Sequence, residues 1–215
     1  SVRSAAGLSE GLYINNNTIS NFMPIGIQIR RFDDVHVVNN QILTGANANR
    51  ALTGVFIAQH EGPVTIERNN IALSDNYNGA KIGIRLVNIN AANATMSLVS
   101  DNMCAMVGKN SNSTAAISID SSTWANVFFN TCRVLPIPAT GMQTSKALTV
   151  GTTSSQISIM NNTLMHDGNG YAIYVQQAAN VMKIILDDYY SNTSATKFRG
   201  YFAGSDYTTL DEFRT

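Results

Sequence analysis

Charged residues are scarce in this 215-residue chain. They make up 13% of the sequence, about half the share that is usual in soluble proteins, and 14 basic residues balance 14 acidic ones. Nucleic-acid binding depends on clustered lysine and arginine side chains that contact phosphates. We therefore expect no nucleic-acid partner.

Long apolar runs and cysteines are also lacking. No apolar run approaches the ~18 residues that a membrane-spanning helix needs, so no membrane insertion is expected. The two cysteines, Cys104 and Cys132, are too few for a disulfide framework and form no Cys-x-x-Cys zinc motif. Whether they pair as one disulfide or remain two buried thiols stays open at this point.

Asparagine is abundant instead, with 25 copies, and many of them follow a repeat. The repeat reads apolar-x-apolar-x-x-Asn-x-apolar and recurs every 23 to 32 residues. Its polar position is occupied by Asn17, Asn40, Asn69, Asp101, Asn130, Asn162 and Asp187. A repeat of this length indicates a solenoid, in which each unit buries its apolar face against its neighbours.

A second motif, small-apolar-x-apolar, lies between successive copies of the first. Examples are Gly54-Val55-Phe56-Ile57, Gly83-Ile84-Arg85-Leu86 and Ala172-Ile173-Tyr174-Val175. Both motifs alternate with a period of two, which is typical of strands with one buried face. No segment has a sustained period near 3.6, so almost no helix is expected.

These patterns favour an all-β right-handed parallel β-helix of about seven coils over a leucine-rich repeat. In leucine-rich repeats the second half of each unit is a helix or a 3₁₀ turn, whereas here it is another alternating strand. Inward aliphatic residues, such as Ile66, Leu98 and Val127, should stack in columns. The recurring asparagines should lie in a tight bend and bond to one another as a ladder.

The repeat resembles the right-handed parallel β-helix superfamily, whose fold is pectate-lyase-like. The tail, with Asp187-Asp188-Tyr189-Tyr190 and the segment Tyr207 to Phe213, resembles the end of β-helix regions in large secreted or cell-surface bacterial proteins. The resemblance implies export, with neighbouring modules of the same long chain as partners. We accordingly interpret residues 1–215 as one β-helix domain of a longer protein and residues 191–215 as a capping or connecting segment.

No catalytic, cofactor or metal site is predicted. The adjacent acids Asp33-Asp34 and Asp187-Asp188 fall at opposite ends of the expected rod, too far apart for paired glycosidase carboxylates. The three histidines occupy different places in the repeat, so we expect them not to converge. Calcium would be expected only if the chain were a polysaccharide lyase.

Exposed aromatic residues can bind sugars by stacking on their faces. The candidate ligand contacts are Tyr77, Trp124, Tyr171 and Tyr174. The hypothesis from sequence is a non-catalytic structural or adhesive module of an exported surface protein, with a surface that faces polysaccharide. The alternatives are a polysaccharide lyase or glycoside hydrolase, and a phage tailspike-like β-helix.

Overall fold

The chain is wound into a parallel β-solenoid with almost no helix. The computed structural model describes residues 2–3, 11–44, 50–74, 79–108, 113–136, 144–185, 187–191 and 198–214. The strands stack in layers of three. Five central turns are paired with neighbours on both sides, and one further layer lies at each end. The solenoid thus has about five turns. The sequence predicted seven coils, a number that includes the two end layers, each of which has a neighbouring layer on one side only.

The strands are numbered in chain order. The first three layers contain β1 (Val2–Arg3), β2 (Leu12–Asn15), β3 (Thr18–Ser20), β4 (Ile25–Arg30), β5 (Val35–Val38), β6 (Gln41–Leu43), β7 (Leu52–His60), β8 (Val64–Glu67) and β9 (Asn70–Ser74). The next two contain β10 (Lys81–Ile89), β11 (Ser97–Ser100), β12 (Met103–Gly108), β13 (Ala115–Asp120), β14 (Thr123–Phe128) and β15 (Thr131–Pro136). The last two contain β16 (Lys146–Val150), β17 (Ser155–Met160), β18 (Thr163–His166), β19 (Tyr171–Val175), β20 (Val181–Ile185) and β21 (Asp188–Ser191), with a 3₁₀ helix at Ala178–Asn180.

Three parallel sheets run along the solenoid. Sheet I has nine strands in the order β1-β4-β7-β10-β13-β16-β19, followed by β22 (Gly200–Phe202) and β23 (Ser205–Tyr207). Sheet II contains β2, β5, β8, β11, β14, β17 and β20, and sheet III contains β3, β6, β9, β12, β15, β18 and β21. Only the final hairpin β22–β23 is antiparallel among the strand pairs of the described chain.

The core consists of aliphatic columns, one inward residue from each layer. In sheet II, Ile66 pairs with Val99, and Val99 pairs with Val127, all fully buried. Leu98 was expected in this column, but it points outward and is half-buried. Removing such apolar surface from water is the main source of stability for stacked repeats that cannot bury it alone.

The asparagine ladder is present at the bend between sheets II and III. Each ladder asparagine donates from its backbone N–H and its Nδ2 to the Oδ1 of the next ladder residue. The series runs Asn17, Asn40, Asn69, Asn102, Asn130, Asn162 and Asp187, with donor–acceptor distances of 2.7–3.1 Å. The ladder thus satisfies buried polar groups at each bend.

The fourth ladder residue is Asn102, so the prediction of Asp101 was wrong by one position. The shift has a physical cause: Ser97, a polar residue, occupies an inward position that is apolar in the other copies. Its Oγ accepts a hydrogen bond from the Val64 amide at 3.2 Å, which makes its burial tolerable. A pattern read from hydrophobicity alone therefore aligned Met96 and Leu98 in place of Ser97 and Val99.

The left-handed backbone angle at the described bends belongs to the residue before the ladder position, not to the ladder asparagine. Six such residues are described, with φ between 53° and 61°: Asn16, Asn39, Arg68, Asp101, Phe129 and Asn161. Four of the six are Asn or Asp, which adopt this region more readily than other non-glycine residues. Arg68 and Phe129 lack that preference, and at those two bends the Nδ2 of the following ladder asparagine bonds across the bend to the carbonyls of Glu67 and Phe128.

The C-terminal segment packs over one end of the solenoid. After β23, the short helix α1 (Leu210–Arg214) places the Phe213 ring 5.3–6.4 Å from those of Phe198, Tyr189, Tyr207 and Phe202. Phe198 is buried, and the other rings are packed against the core cluster. Aromatic surface therefore covers apolar side chains that the last layer would otherwise expose.

Candidate functional site

The outer face of sheet I presents one column of outward side chains. Strand register aligns the middle residue of each small-apolar-x-apolar motif with its counterparts above and below. The column reads Gln28, Phe56, Arg85, Ser118, Thr149, Tyr174 and Tyr201. It is a regular array of partly exposed side chains, with Ser118 buried among them, because in-register strands place equivalent side chains on one line.

Two arginines flank the aromatic ring near the start of this column. The guanidinium carbons of Arg30 and Arg85 lie 5.2 Å and 5.9 Å from the centroid of the Phe56 ring. Such cation–π contacts favour a guanidinium held flat against the ring. The result is a pre-arranged basic and aromatic cluster, here called the Phe56 cluster.

A second group of aromatic rings and cations lies further along, with Tyr174 four layers beyond Phe56. The rings of Tyr174 and Tyr201 are stacked, with centroids 4.3 Å apart and an interplanar angle of 10°, and Tyr171 meets both edge-on. The Lys146 ammonium nitrogen lies 5.1 Å from the Tyr174 centroid. Arg199 covers Tyr171 at 4.3 Å and donates to its hydroxyl at 2.9 Å. We call this the tyrosine cluster.

A groove of about 510 Å³ includes Arg85 of the Phe56 cluster and Lys146 and Tyr174 of the tyrosine cluster. It is lined by Arg85, Ser118, Asp120, Lys146 and Tyr174, among others. Arg85 Nε lies 3.5 Å from Asp120 Oδ2, and Ser118 Oγ donates to the same oxygen at 3.0 Å. The groove therefore combines one aromatic ring, two cations, one carboxylate and hydroxyl groups along a partly exposed strand face, a combination suited to a polar ligand.

The environment of the groove changes the pKa of two of its groups. Burial lowers the pKa of the Lys146 amine, and the carboxylate of Asp120 opposes that effect. Burial raises the pKa of Tyr174, and the neighbouring Tyr201 adds to the rise. Next to the groove, burial raises the pKa of Tyr171 to about 12. The tyrosines are neutral at physiological pH and act as hydrogen-bonding aromatic surfaces.

A larger cavity, about 890 Å³, lies at the C-terminal end, where β20 has no strand on its outer side. Its lining is largely apolar and includes Met182, Ile185, Phe202 and Phe213. It lies between β20 and the C-terminal segment, whose Tyr207 and Phe213 contribute to its lining. The groove on sheet I is the better candidate site, since it carries convergent polar groups whereas the cavity follows from the end of the stack.

The adjacent acids do not form a catalytic pair. Asp34 lies in the turn before β5, where His36 Nε2 is 2.9 Å from its Oδ1. Asp187 belongs to the ladder in the last layer. Among the residues that line the groove, Asp120 is the one carboxylate. Within the described parts of the chain, no three or more His, Cys, Asp or Glu side chains are grouped closely enough to hold a metal ion.

The three histidines lie on strands of three different sheets, at His36 in β5, His60 in β7 and His166 in β18. His166 Nε2 is 2.7 Å from Ser145 Oγ, a separation also found in nucleophile–base pairs. Both side chains have zero solvent exposure, so no substrate can reach the hydroxyl. Burial lowers the pKa of His166 to about 4, and the pair is a buried structural contact between neutral groups.

Two of the four aromatic residues proposed as ligand contacts come together. Tyr171 and Tyr174 are in contact in the tyrosine cluster, and Tyr174 lines the groove. Trp124 is half-buried in β14 of sheet II and is not part of either cavity. Tyr77 lies outside the residues that the structure describes.

Sequence reasoning missed Phe56, Arg85, Asp120 and Lys146. The signal for the first two was available, because both occupy the variable position of the small-apolar-x-apolar motif. Reading that position down the repeats would have given the exposed column directly. Asp120 and Lys146 carried no comparable signal, since they lie beyond either end of the motif and reach the groove through strand register.

Comparisons with known proteins add no relative: searches of family models, of curated proteins and of solved structures found no match to this chain. The resemblance to the pectate-lyase-like superfamily therefore extends to a parallel β-solenoid with stacked asparagines and no further. A search of the described residues for helices found none with the length and apolar character required to cross a bilayer.

Proposed function

We propose that this solenoid is a non-catalytic, carbohydrate-binding adhesive module of an exported surface protein. The observation that carries the proposal is the groove on sheet I, which places Tyr174 beside Lys146, Asp120 and Arg85 on a rigid strand face. Aromatic faces stack on sugar rings, while charged and hydroxyl side chains bond to ring substituents. An in-register sheet holds these groups without the entropy cost of ordering loops on binding.

The solenoid architecture supports an adhesive role. The outward column spans Gln28 to Tyr201, so a linear polymer can lie along several layers at once. Contacts repeated along one polymer raise the overall affinity through effective concentration. Neighbouring modules of a longer chain are the proposed protein partners, and the cell surface is the proposed location.

A polysaccharide lyase is the second candidate, and one observation favours it. Burial lowers the pKa of Lys146, so that a larger fraction of its amine is neutral and able to act as a general base. Against it, Lys146 has Asp120 as the single carboxylate among its groove neighbours, and a calcium-assisted elimination needs several acidic ligands. Paired-carboxylate glycoside hydrolysis is disfavoured for the same reason.

Binding and turnover can be separated in one experiment. The protein is incubated with a panel of neutral and acidic polysaccharides, and retention on each is measured beside the ultraviolet absorbance of unsaturated sugar products and the release of reducing ends. We expect retention on at least one polysaccharide without product formation. If the wild type forms product and the Lys146→Met variant does not, the protein is a lyase and the adhesive proposal is wrong. The absence of retention on every polysaccharide would refute carbohydrate binding.

A further inference from the structure

The larger cavity, at the C-terminal end, occupies the place of a missing strand in sheet II. Sheet I continues past β19 into β22, whereas sheet II ends at β20. All five residues of β20 line the cavity, and Phe202 of β22, Tyr207 of β23 and Phe213 of α1 contribute to its lining as well. The cavity thus lies where the next strand of sheet II would run, between β20 and the C-terminal segment.

The outer edge of β20 carries backbone groups that no strand of the described chain pairs with. The carbonyl oxygen of Ile185 accepts a hydrogen bond from the Asn161 N–H at 3.2 Å, so the backbone groups of Ile185 face β17. Successive residues of a parallel strand bond to opposite neighbours, so the N–H and C=O of Ile184 face the cavity side. An extended polypeptide is the ligand that pairs with such an edge and continues the sheet.

The asparagine ladder ends in this cavity with an unused donor. At the earlier positions the backbone N–H donates to Oδ1 of the next ladder residue, as Asn130 does to Asn162 and Asn162 does to Asp187. Asp187 lines the cavity and is 7% exposed, and its own N–H donates to no described residue. A nearly buried donor without a partner is unfavourable. An asparagine in an added strand would supply the missing acceptor in the geometry that the preceding ladder positions use.

The side chains of β20 define two further positions of an added strand. Ile184 continues the inward column of sheet II from Ile159, and it is half-buried because no further strand covers it. An apolar residue opposite Ile184 would remove this surface from water. Lys183 continues an outward column from Ser158, is exposed, and is the one cation among the residues that line the cavity. An acidic residue opposite it would form a favourable cross-strand pair.

We propose that the cavity binds an extended segment of another polypeptide, which adds one parallel strand to sheet II. An asparagine of this segment accepts the hydrogen bond of the Asp187 N–H. Its apolar residue lies three positions before that asparagine and its acid four positions before, as Ile184 and Lys183 precede Asp187. The pattern recognised is acid-apolar-x-x-Asn. This site is separate from the groove on sheet I and does not depend on carbohydrate binding.

Synthetic peptides that copy β8 and its bend, residues 64–71, test the proposal. Ile66 lies three positions before Asn69 in this sequence, and Thr65→Glu or Thr65→Lys places either charge four positions before it. Fluorescence anisotropy of labelled peptides should show the Thr65→Glu peptide binding about tenfold more tightly than the Thr65→Lys peptide, which brings two like charges together. Within the Thr65→Glu peptide, Asn69→Ala should weaken binding about tenfold and Ile66→Asp should abolish it.

Charge reversal on the protein locates the peptide. Lys183→Glu should reverse the preference, so that the Thr65→Lys peptide binds more tightly. Arg31→Glu in the protein is the matched control, because it reverses an exposed cation five layers away and should leave the original preference unchanged. Hydrogen exchange at the amide of Ile184 should slow in the complex with the Thr65→Glu peptide, since that amide gains a hydrogen-bond partner.

Three results would overturn the proposal: no binding of the Thr65→Glu peptide, equal binding of all four peptides, or an unchanged preference in Lys183→Glu. A dimer that forms without peptide and protects the Ile184 amide would also overturn it, because a second copy of the chain would then occupy the edge. Retention on polysaccharides is measured separately, so failure here leaves the adhesive function intact, and failure of that function leaves this site intact.

Discussion

Asn162 donates two hydrogen bonds to a single oxygen, Oδ1 of Asp187, from its backbone N–H at 2.7 Å and from its Nδ2 at 2.9 Å. Asp187 is the last member of the ladder and the only acid among its seven residues. A carboxylate can accept in this position but has no amide to donate onward. The ladder thus ends where the sheet stack ends.

Replacing Asp187 by Asn should stabilise the protein near neutral pH. Burial raises the pKa of Asp187 in the folded state, so its ionised form is less favourable there than in the unfolded chain. Stability from this group is present below the ordinary aspartate pKa of ~4 and is lost as pH rises through the higher folded pKa. Asp187→Asn should abolish that loss and raise the free energy of unfolding at pH 7 by about 1 kcal/mol.

Denaturant unfolding at a series of pH values measures this effect. The exposed neighbour Asp188 supplies the control, since Asp188→Asn removes the same charge without touching the ladder. An Asp187→Asn protein that is less stable than the wild type at pH 7, or that keeps the same pH dependence, would show that the carboxylate is a favourable ladder member.

Asn102 and Asp101 should respond very differently to substitution. Asn102→Ala leaves the Asn69 amides and the Ile66 carbonyl without their 2.9–3.0 Å partners, which should cost about 2–4 kcal/mol of unfolding free energy. Asp101→Asn keeps a residue that tolerates the left-handed angle and should change stability by less than about 0.5 kcal/mol. Thermal melts of both variants show which residue belongs to the ladder. A larger loss of stability in Asp101→Asn than in Asn102→Ala would support the alignment predicted from the sequence.

The two cysteines should be reduced and inaccessible. Cys104 and Cys132 are directly paired across β12 and β15, and both are free and buried. The hydrogen bond that the Cys132 S–H donates to Cys104, together with burial, raises the pKa of the Cys132 thiol well above its usual value, which removes the reactive thiolate. A thiol-reactive chromogenic disulfide should label neither residue in the native protein and both after denaturation. Failure to label either one in denaturant would indicate a disulfide.

The sequence was sufficient for the fold because its inward positions obey one rule. Residues such as Ile66 and Val127 must be apolar to stack, and Asn69 and Asn130 must carry an amide to satisfy the bend, so both patterns repeat visibly. The rule failed at Ser97, where a hydrogen bond replaces apolar burial. Because of this one polar residue, the predicted ladder position of the fourth repeat was wrong by one residue.

The candidate site was predicted only in part, because outward positions are not constrained by stacking. Tyr171 and Tyr174 were identified as aromatic residues, but nothing in their local sequence indicated Lys146 or Arg85 as neighbours. Those contacts arise from strands that are 25 to 33 residues apart in the chain and adjacent in the sheet. Only the register of the strands brings them together.

The location of the ligand surface is tested most directly by two aromatic substitutions on different sheets. A polysaccharide that the wild-type protein binds is titrated into the Tyr174→Ala and Trp124→Ala variants, whose folding is verified by circular dichroism. The two affinities compare the contribution of the groove with that of sheet II. We predict that Tyr174→Ala weakens binding about five- to thirtyfold, since loss of a stacking ring removes about 1–2 kcal/mol, while Trp124→Ala leaves the affinity unchanged. Unchanged binding in Tyr174→Ala, with a loss in Trp124→Ala, would contradict the assignment of the groove on sheet I.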